Sequence, residues 1–241
     1  MEFLDNVGRN RLGDALAKSI DEGAKLSIIS SYFTVFAFSE LKEELEKLDS
    51  VRFLFSEPTF VKRMATDKDP RQFAISQCSR ERGVGGLGLE LTLRNNLNQR
   101  AIARECAEWV RAKCEFQSAK MNGAIQPGGT YIVENPNGDD HAFMGAAADF
   151  TQEGLGYERR PNTVMGVSHY EGATETAGLK AMFESVWDKP AMVADVTDEV
   201  AAQVGTLYRE NPPEFVYFLT LYHLFRDYLS DEDNDLRPGL K

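Results

Sequence analysis

Residues 130–156, TYIVENPNGDDHAFMGAAADFTQEGLG, constrain the fold more than any other stretch of this chain. Two short apolar runs, 131–134 (YIVE) and 142–147 (AFMGAA), stand on either side of Asn135-Pro136-Asn137-Gly138. Aromatic and β-branched side chains suit a pleated strand, and Asn-Gly supplies the backbone freedom that a tight hairpin turn needs. The spacing predicts an antiparallel hairpin that turns through residues 136–140. Upstream lie two runs of the same character, 26–31 (LSIISS) and 51–56 (VRFLFS). Between them Leu41, Leu45 and Leu48 recur at helical spacing among charges. Strand, helix, strand and hairpin together predict an α/β domain with a mixed sheet.

Charge narrows the partners. The net charge of −11 is the wrong sign for a protein that coats nucleic acid along its whole surface. It is also uneven: residues 60–122 hold twelve basic and seven acidic side chains, leaving 15 basic and 31 acidic elsewhere. Within that basic segment, residues 97–114 read as a helix. Ile102, Cys106, Trp109 and Val110 share one side of it, and Arg100, Arg104 and Arg111 gather on the other, within about 40° by helix geometry. Those arginines, with Lys113 off the main stripe, are the candidate contacts to DNA phosphates. A solvated helix face is the plainer reading, because Glu105 and Glu108 lie at its edge.

The C-terminal third predicts helices over 171–187 and 197–209, and a last helix over 214–229 starting after Pro212-Pro213. That last helix is apolar on nearly every side, which calls for burial against a partner. Residues 230–241, with Asp231, Glu232, Asp233 and Asp235 ahead of Pro238 and Gly239, read as an acidic linker. The expected organisation is therefore a domain over 1–170, a helical extension over 171–229 and a linker over 230–241. Residues 1–10 carry Glu2, Asp5 and Arg9 and no apolar run, so no secretory leader is expected. The longest nearly apolar run, 26–38, is too short to span a bilayer. Cys78, Cys106 and Cys114 form no CxxC pair, which fits a reducing cytoplasm.

The hairpin resembles the active-site hairpin of the phospholipase D superfamily, in which a His-x-Lys strand leads through a turn to a strand ending in Gly-Ser-x-Asn. Laid on that pattern, the nucleophilic histidine falls at Pro127, the lysine at Gly129 and the acidic member at Glu134. The Gly-Ser-Ser-Asn-Phe-Thr run becomes Ala146 to Ala148, Asp149, Phe150 and Thr151. Glu158 stands where active members place a further carboxylate near phosphate. Diester cleavage by such a site needs an imidazole nucleophile and cationic donors, and Pro127 and Gly129 offer neither. Asp149 adds a carboxylate where a neutral amide would meet phosphate, which is repulsive. No His-x-Lys pair occurs anywhere: His141, His169 and His223 are followed at the second position by Phe143, Glu171 and Phe225.

The likeness extends further. IISSYFT at the first strand end resembles the start of a phospholipase D-like domain. ELTLRNNLNQRAIARECAEWVRAKCEF (90–116) resembles the form of that domain at the N-terminus of Swi/Snf-type superfamily-two helicases. EFVYFLTLYHLFRDYL (214–229) resembles the segment that leads into their ATPase core. The resemblance implies a non-catalytic accessory module with a vestigial site (Glu134, Asp149, Thr151, Glu158), attached to an ATP-dependent DNA translocase. DNA, the ATPase core of the same polypeptide and a second copy of the chain are the partners it implies. No membrane partner and no cofactor are expected.

The competing reading is a phosphodiesterase or nuclease that uses Glu134, Asp149, His141 and Glu158 around a metal. Asp139, Asp140 and His141 carry ligand-type side chains, but read as a solvated turn, so no metal centre is assigned. The glycines of RGVGGLG (82–88) lack a following Lys-Ser/Thr and read as a loop over the vestigial site. No Walker motif is present.

Overall fold

Eight strands form one mixed sheet flanked by helices, so the protein is α/β. The computed structural model describes residues 2–6, 10–59, 88–125, 128–158 and 166–206, with backbone alone at 88–100 and 206. All of these belong to one compact unit, Met1–Leu207. The expected helix at 214–229, the linker at 230–241, Pro127, Cys78, His223 and most of the glycine loop lie outside the described residues.

In chain order the elements are β1 (Glu2–Leu4), α1 (Leu12–Ser19), β2 (Lys25–Ser30), α2 (Val35–Glu40), α3 (Lys42–Lys47) and β3 (Ser50–Phe55). There follow α4 (Gly88–Lys113), β4 (Cys114–Ala119), β5 (Gly129–Glu134), β6 (His141–Gly145), β7 (Val167–Glu171), α5 (Ala173–Trp187), β8 (Val193–Asp195) and α6 (Thr197–Thr206). The order across the sheet is β1-β7-β6-β5-β2-β3-β4-β8. The run β2-β3-β4 is parallel, and every other pairing is antiparallel. Parallel neighbours need a crossover, which α2 with α3 supplies between β2 and β3. The predicted hairpin is β5–β6, with Tyr131 opposite Phe143 and Gly138 at φ +80° in the turn.

Both faces of the sheet are covered. On one, Phe33, Phe53, Phe55, Phe116 and Phe150 form a buried aromatic cluster, with Phe33 stacked on Phe150 at 5.4 Å. The other face packs Ile29, Leu54, Ile132 and Ala142 against Phe183 and Trp187 of α5. Helix α4 buries Ala103, Cys106, Ala107, Trp109 and Val110, and the Trp109 indole donates to the Leu45 carbonyl at 3.1 Å. Ile102, expected on that face, is only half-buried, because the contact stripe runs through Ala103 and Ala107 instead.

Four strands go beyond the sequence reading: β1, β4, β7 and β8. The expected 97–114 helix ends at Lys113, and β4 starts directly after it. Between the two expected C-terminal helices, β8 pairs with β4, and Val196 N–H donates to the Phe116 carbonyl at 2.9 Å. Thus α5 and α6 pack onto the sheet as part of the unit Met1–Leu207. Among the described residues no helix is long and apolar enough to cross a membrane.

Candidate functional site

Each of the three parallel strands reaches a serine at its carboxyl end, the end at which open α/β sheets bind ligands. Ser30 closes β2, Ser56 follows β3 and Ser118 lies near the end of β4; all three are buried. The Ser31 and Ser56 hydroxyls are 2.8 Å apart, and Ser118 Oγ accepts from Thr59 N–H at 2.8 Å. The loop after β6 brings Asp149 to this end. Its Oδ1 accepts from Ser31 N–H at 2.9 Å and lies 3.0 Å from Ser30 Oγ, which itself accepts from Phe150 N–H. The carboxylate expected to face phosphate is thus occupied as a tether between that loop and the end of β2. Sequence reasoning passed over these serines; the signal that could have found them is the serine near the end of each of LSIISS, VRFLFS and CEFQSA.

Gly129, where the resemblance would put a lysine, is closed in by backbone. A Cβ placed on Gly129 would lie 1.6 Å from the Ala148 carbonyl oxygen and 2.2 Å from its carbon. That carbonyl cannot swing aside freely, because the buried Tyr131 hydroxyl donates to it at 2.7 Å. Burial, with the Asp149 carboxylate adding, pushes the Tyr131 phenol well above its ordinary range, so it stays a donor. Gly145, opposite Gly129 in the hairpin, is similarly confined: its Cβ would meet the Gly166 carbonyl at 2.9 Å. Glycine at these positions is a steric requirement of the hairpin.

A cleft of about 370 Å³ opens beside these glycines. Ile29, Ile125, Thr130, Met144, Ala146 and Met182 line most of it, together with Gly128, Gly129, Gly145 and Gly166. No charged side chain lines it among the described residues. Such a surface suits a neutral or apolar group and offers a diester neither a nucleophile nor a countercharge.

The remaining residues of the expected site are dispersed. Glu134 lies at the opposite end of β5 from Gly129, in register with Lys25 at the start of β2, whereas Asp149 meets Ser30 at the end of β2. Five strand steps separate the two, on the order of 16 Å. Glu134 pairs with Lys180 of α5 and lies 3.7 Å from Arg52 of β3, whose guanidinium stacks 4.9 Å from the Phe183 ring. The ion pair raises the Lys180 ammonium above its ordinary value. Thr151 Oγ1 accepts from Gly154 N–H at 2.9 Å in a local turn, and the Glu158 N–H bonds Gln152 O in the same segment. His141 begins β6, beside Val133, and strand alternation turns it to the sheet face away from Glu134. These four acidic and imidazole groups do not converge on one metal.

The turn at 135–141 is less solvated than its composition suggests. Pro136, Asn137 and Gly138 are exposed, but Asn135 is buried. Its Nδ2 donates to the Ser19 and Asp139 carbonyls, and its Oδ1 accepts from Asp21 N–H. His141 is buried too, with Nδ1 3.2 Å from His169 Nε2. His169 has its partner across the β6–β7 ladder.

On α4, Arg104 and Arg111 are exposed, and the Arg100 side chain lies outside the described residues. Arg104 pairs with Glu108 at 3.0 Å, while Glu105 reaches Lys42 of α3 at 3.2 Å. Lys113 does not extend the arginine stripe. Its ammonium donates to the Glu46 and Leu48 carbonyls at 2.6 and 2.5 Å, satisfying the C-terminal end of α3. No protein-family model and no curated protein matches this sequence.

Proposed function

We propose that this chain is a non-catalytic phospholipase D-like module of an ATP-dependent DNA helicase or translocase, and that it acts by engaging DNA. The observation that carries the non-catalytic half is the closure at Gly129: the Ala148 carbonyl fills the space a cationic side chain would need. The dispersal of Glu134, Asp149, His141 and Glu158 disfavours an enzyme built from them. The DNA half is supported by Arg104 and Arg111 on the exposed side of a helix whose other side is buried. The Arg104–Glu108 pair does not lock that surface, since exposed i,i+4 pairs contribute only about 0.3–0.5 kcal/mol. Phosphate could displace Glu108 at small cost.

Two measurements test this. The purified chain, assayed without added metal, is expected to leave a chromogenic diester and DNA uncleaved; robust turnover overturns the non-catalytic reading. Fluorescence anisotropy with a short duplex should give weak binding that falls steeply with salt, because it rests on phosphate contacts alone. Arg104→Ala with Arg111→Ala should lower affinity at about 50 mM salt while leaving the thermal midpoint nearly unchanged. No binding by the wild type at that salt overturns DNA engagement and favours docking to an ATPase core instead.

A further inference from the structure

We propose that Asp139, His141 and Glu171 bind a divalent transition metal of the zinc class, with His169 and Glu2 orienting the histidine ligand. The site is independent of the reading above and lies at the far end of the β5–β6 hairpin from the glycine-lined cleft. Strand register assembles it. His141 of β6 lies opposite Glu171 of β7, His169 of β7 lies opposite Phe143 of β6, and Glu2 of β1 lies opposite His169 on its other side. Residues paired or two apart share a face, so these groups project to one side of the sheet. Asp139 arrives from the turn, which is held by Asn135 Nδ2 on its carbonyl and by Asp139 N–H donating to Asn137 Oδ1.

Ligand atoms of Asp139, His141 and Glu171 all lie within 4.8 Å of one another. Metal–ligand bonds of about 2.0–2.2 Å put tetrahedral neighbours roughly 3.3–3.6 Å apart, so small side-chain rotations close the site. The chemistry of the histidine pair selects its occupant. Glu2 Oε2, 3.7 Å from His169 Nδ1, is acceptor-only and favours the proton on that nitrogen. With the proton on Nδ1, Nε2 is the acceptor nitrogen of the His169 ring. His141 Nδ1, 3.2 Å away, must then donate. That leaves the lone pair on His141 Nε2, aimed at the acceptor-only Asp139 Oδ2 at 3.7 Å. His141 is 9 % exposed, and no described residue offers Nε2 a hydrogen-bond donor. A lone pair and two carboxylates facing one point call for a cation, and an imidazole with two carboxylates suits zinc-class ions. A histidine ligand whose other nitrogen is held by a second partner is the usual orienting arrangement.

Titration of the whole chain with cobalt, read in the visible and competed with zinc, tests the site. Saturable one-to-one binding is expected, without the thiolate charge-transfer band that cysteine ligation would give. Asp139→Asn with Glu171→Gln changes exposed side chains, so it should keep the thermal midpoint of the metal-free protein and lose binding. His169→Gln should keep the ligands but weaken affinity about tenfold or more. No saturable binding overturns the proposal, as does a thiolate band or binding undiminished in the double variant.

Discussion

At Gly129 a single hydrogen atom decides both packing and chemistry. The resemblance to the phospholipase D pattern would put a lysine here; any side chain there would enter the Ala148 carbonyl. Gly129→Ala is therefore expected to destabilise the protein by about 3 kcal/mol or more, since a backbone carbonyl held by Tyr131 must move. Urea denaturation measures this, and a variant within about 0.5 kcal/mol of wild type would show that the hairpin can relax. Asp149 carries the complementary lesson. Its residue type suggested repulsion of a phosphate, but its Oδ1 is occupied by Ser31 N–H and the Ser30 hydroxyl. Which partners a carboxylate meets is set by the loop that delivers it, and residue type does not encode that.

Among the elements, α5 shows how a residue read as vestigial can hold the fold together. Glu134 of β5 joins Lys180 of α5 to Arg52 of β3, and Arg52 in turn lies over Phe183 and Trp187. Glu134→Ala leaves the partly buried Arg52 without its carboxylate and should cost about 1–3 kcal/mol. The urea midpoint should fall at unchanged m-value; an unshifted midpoint would reduce the triad to surface decoration. The strand elements divide in the same way. Those with dense apolar runs rich in β-branched or aromatic residues (β2, β3, β5 and β6) were legible, because each segment announces itself. VSHYE is largely polar and VAD is only three residues long, and they become strands because β6 and β4 offer them a hydrogen-bonding edge. CEFQSA was hidden by the helix running directly into it.

The molecule as a whole should be alkali-sensitive. Burial pushes the Cys106 and Cys114 thiols and the Tyr131 phenol upward, so all three stay protonated in the fold. The unfolded chain releases these protons from their ordinary values of 9.0 and 10.0 upward. Raised native values favour the fold at low pH, and that contribution is complete below pH 9 and is lost as pH climbs. Each group should remove about 1.4 kcal/mol per pH unit above its ordinary value. Thermal midpoints between pH 8 and 11 check the slope, and a flat profile would show that the thiols and phenol titrate freely in the native state. By itself the sequence determined the α/β class, the β5–β6 hairpin with its Asn-Gly turn, the inward positions Cys106, Trp109 and Val110 of α4 and the absence of any His-x-Lys pair. These are local quantities: periodicity, turn chemistry and the presence of a side-chain type can be summed within a short window. Only the tertiary structure decided that Glu134 and Asp149 stand at opposite ends of the sheet, that Lys113 caps α3, and that Glu2, Asp139, His141, His169 and Glu171 meet. Strand register makes such meetings, pairing residues that lie far apart along the chain through backbone hydrogen bonds that carry no record of side-chain identity.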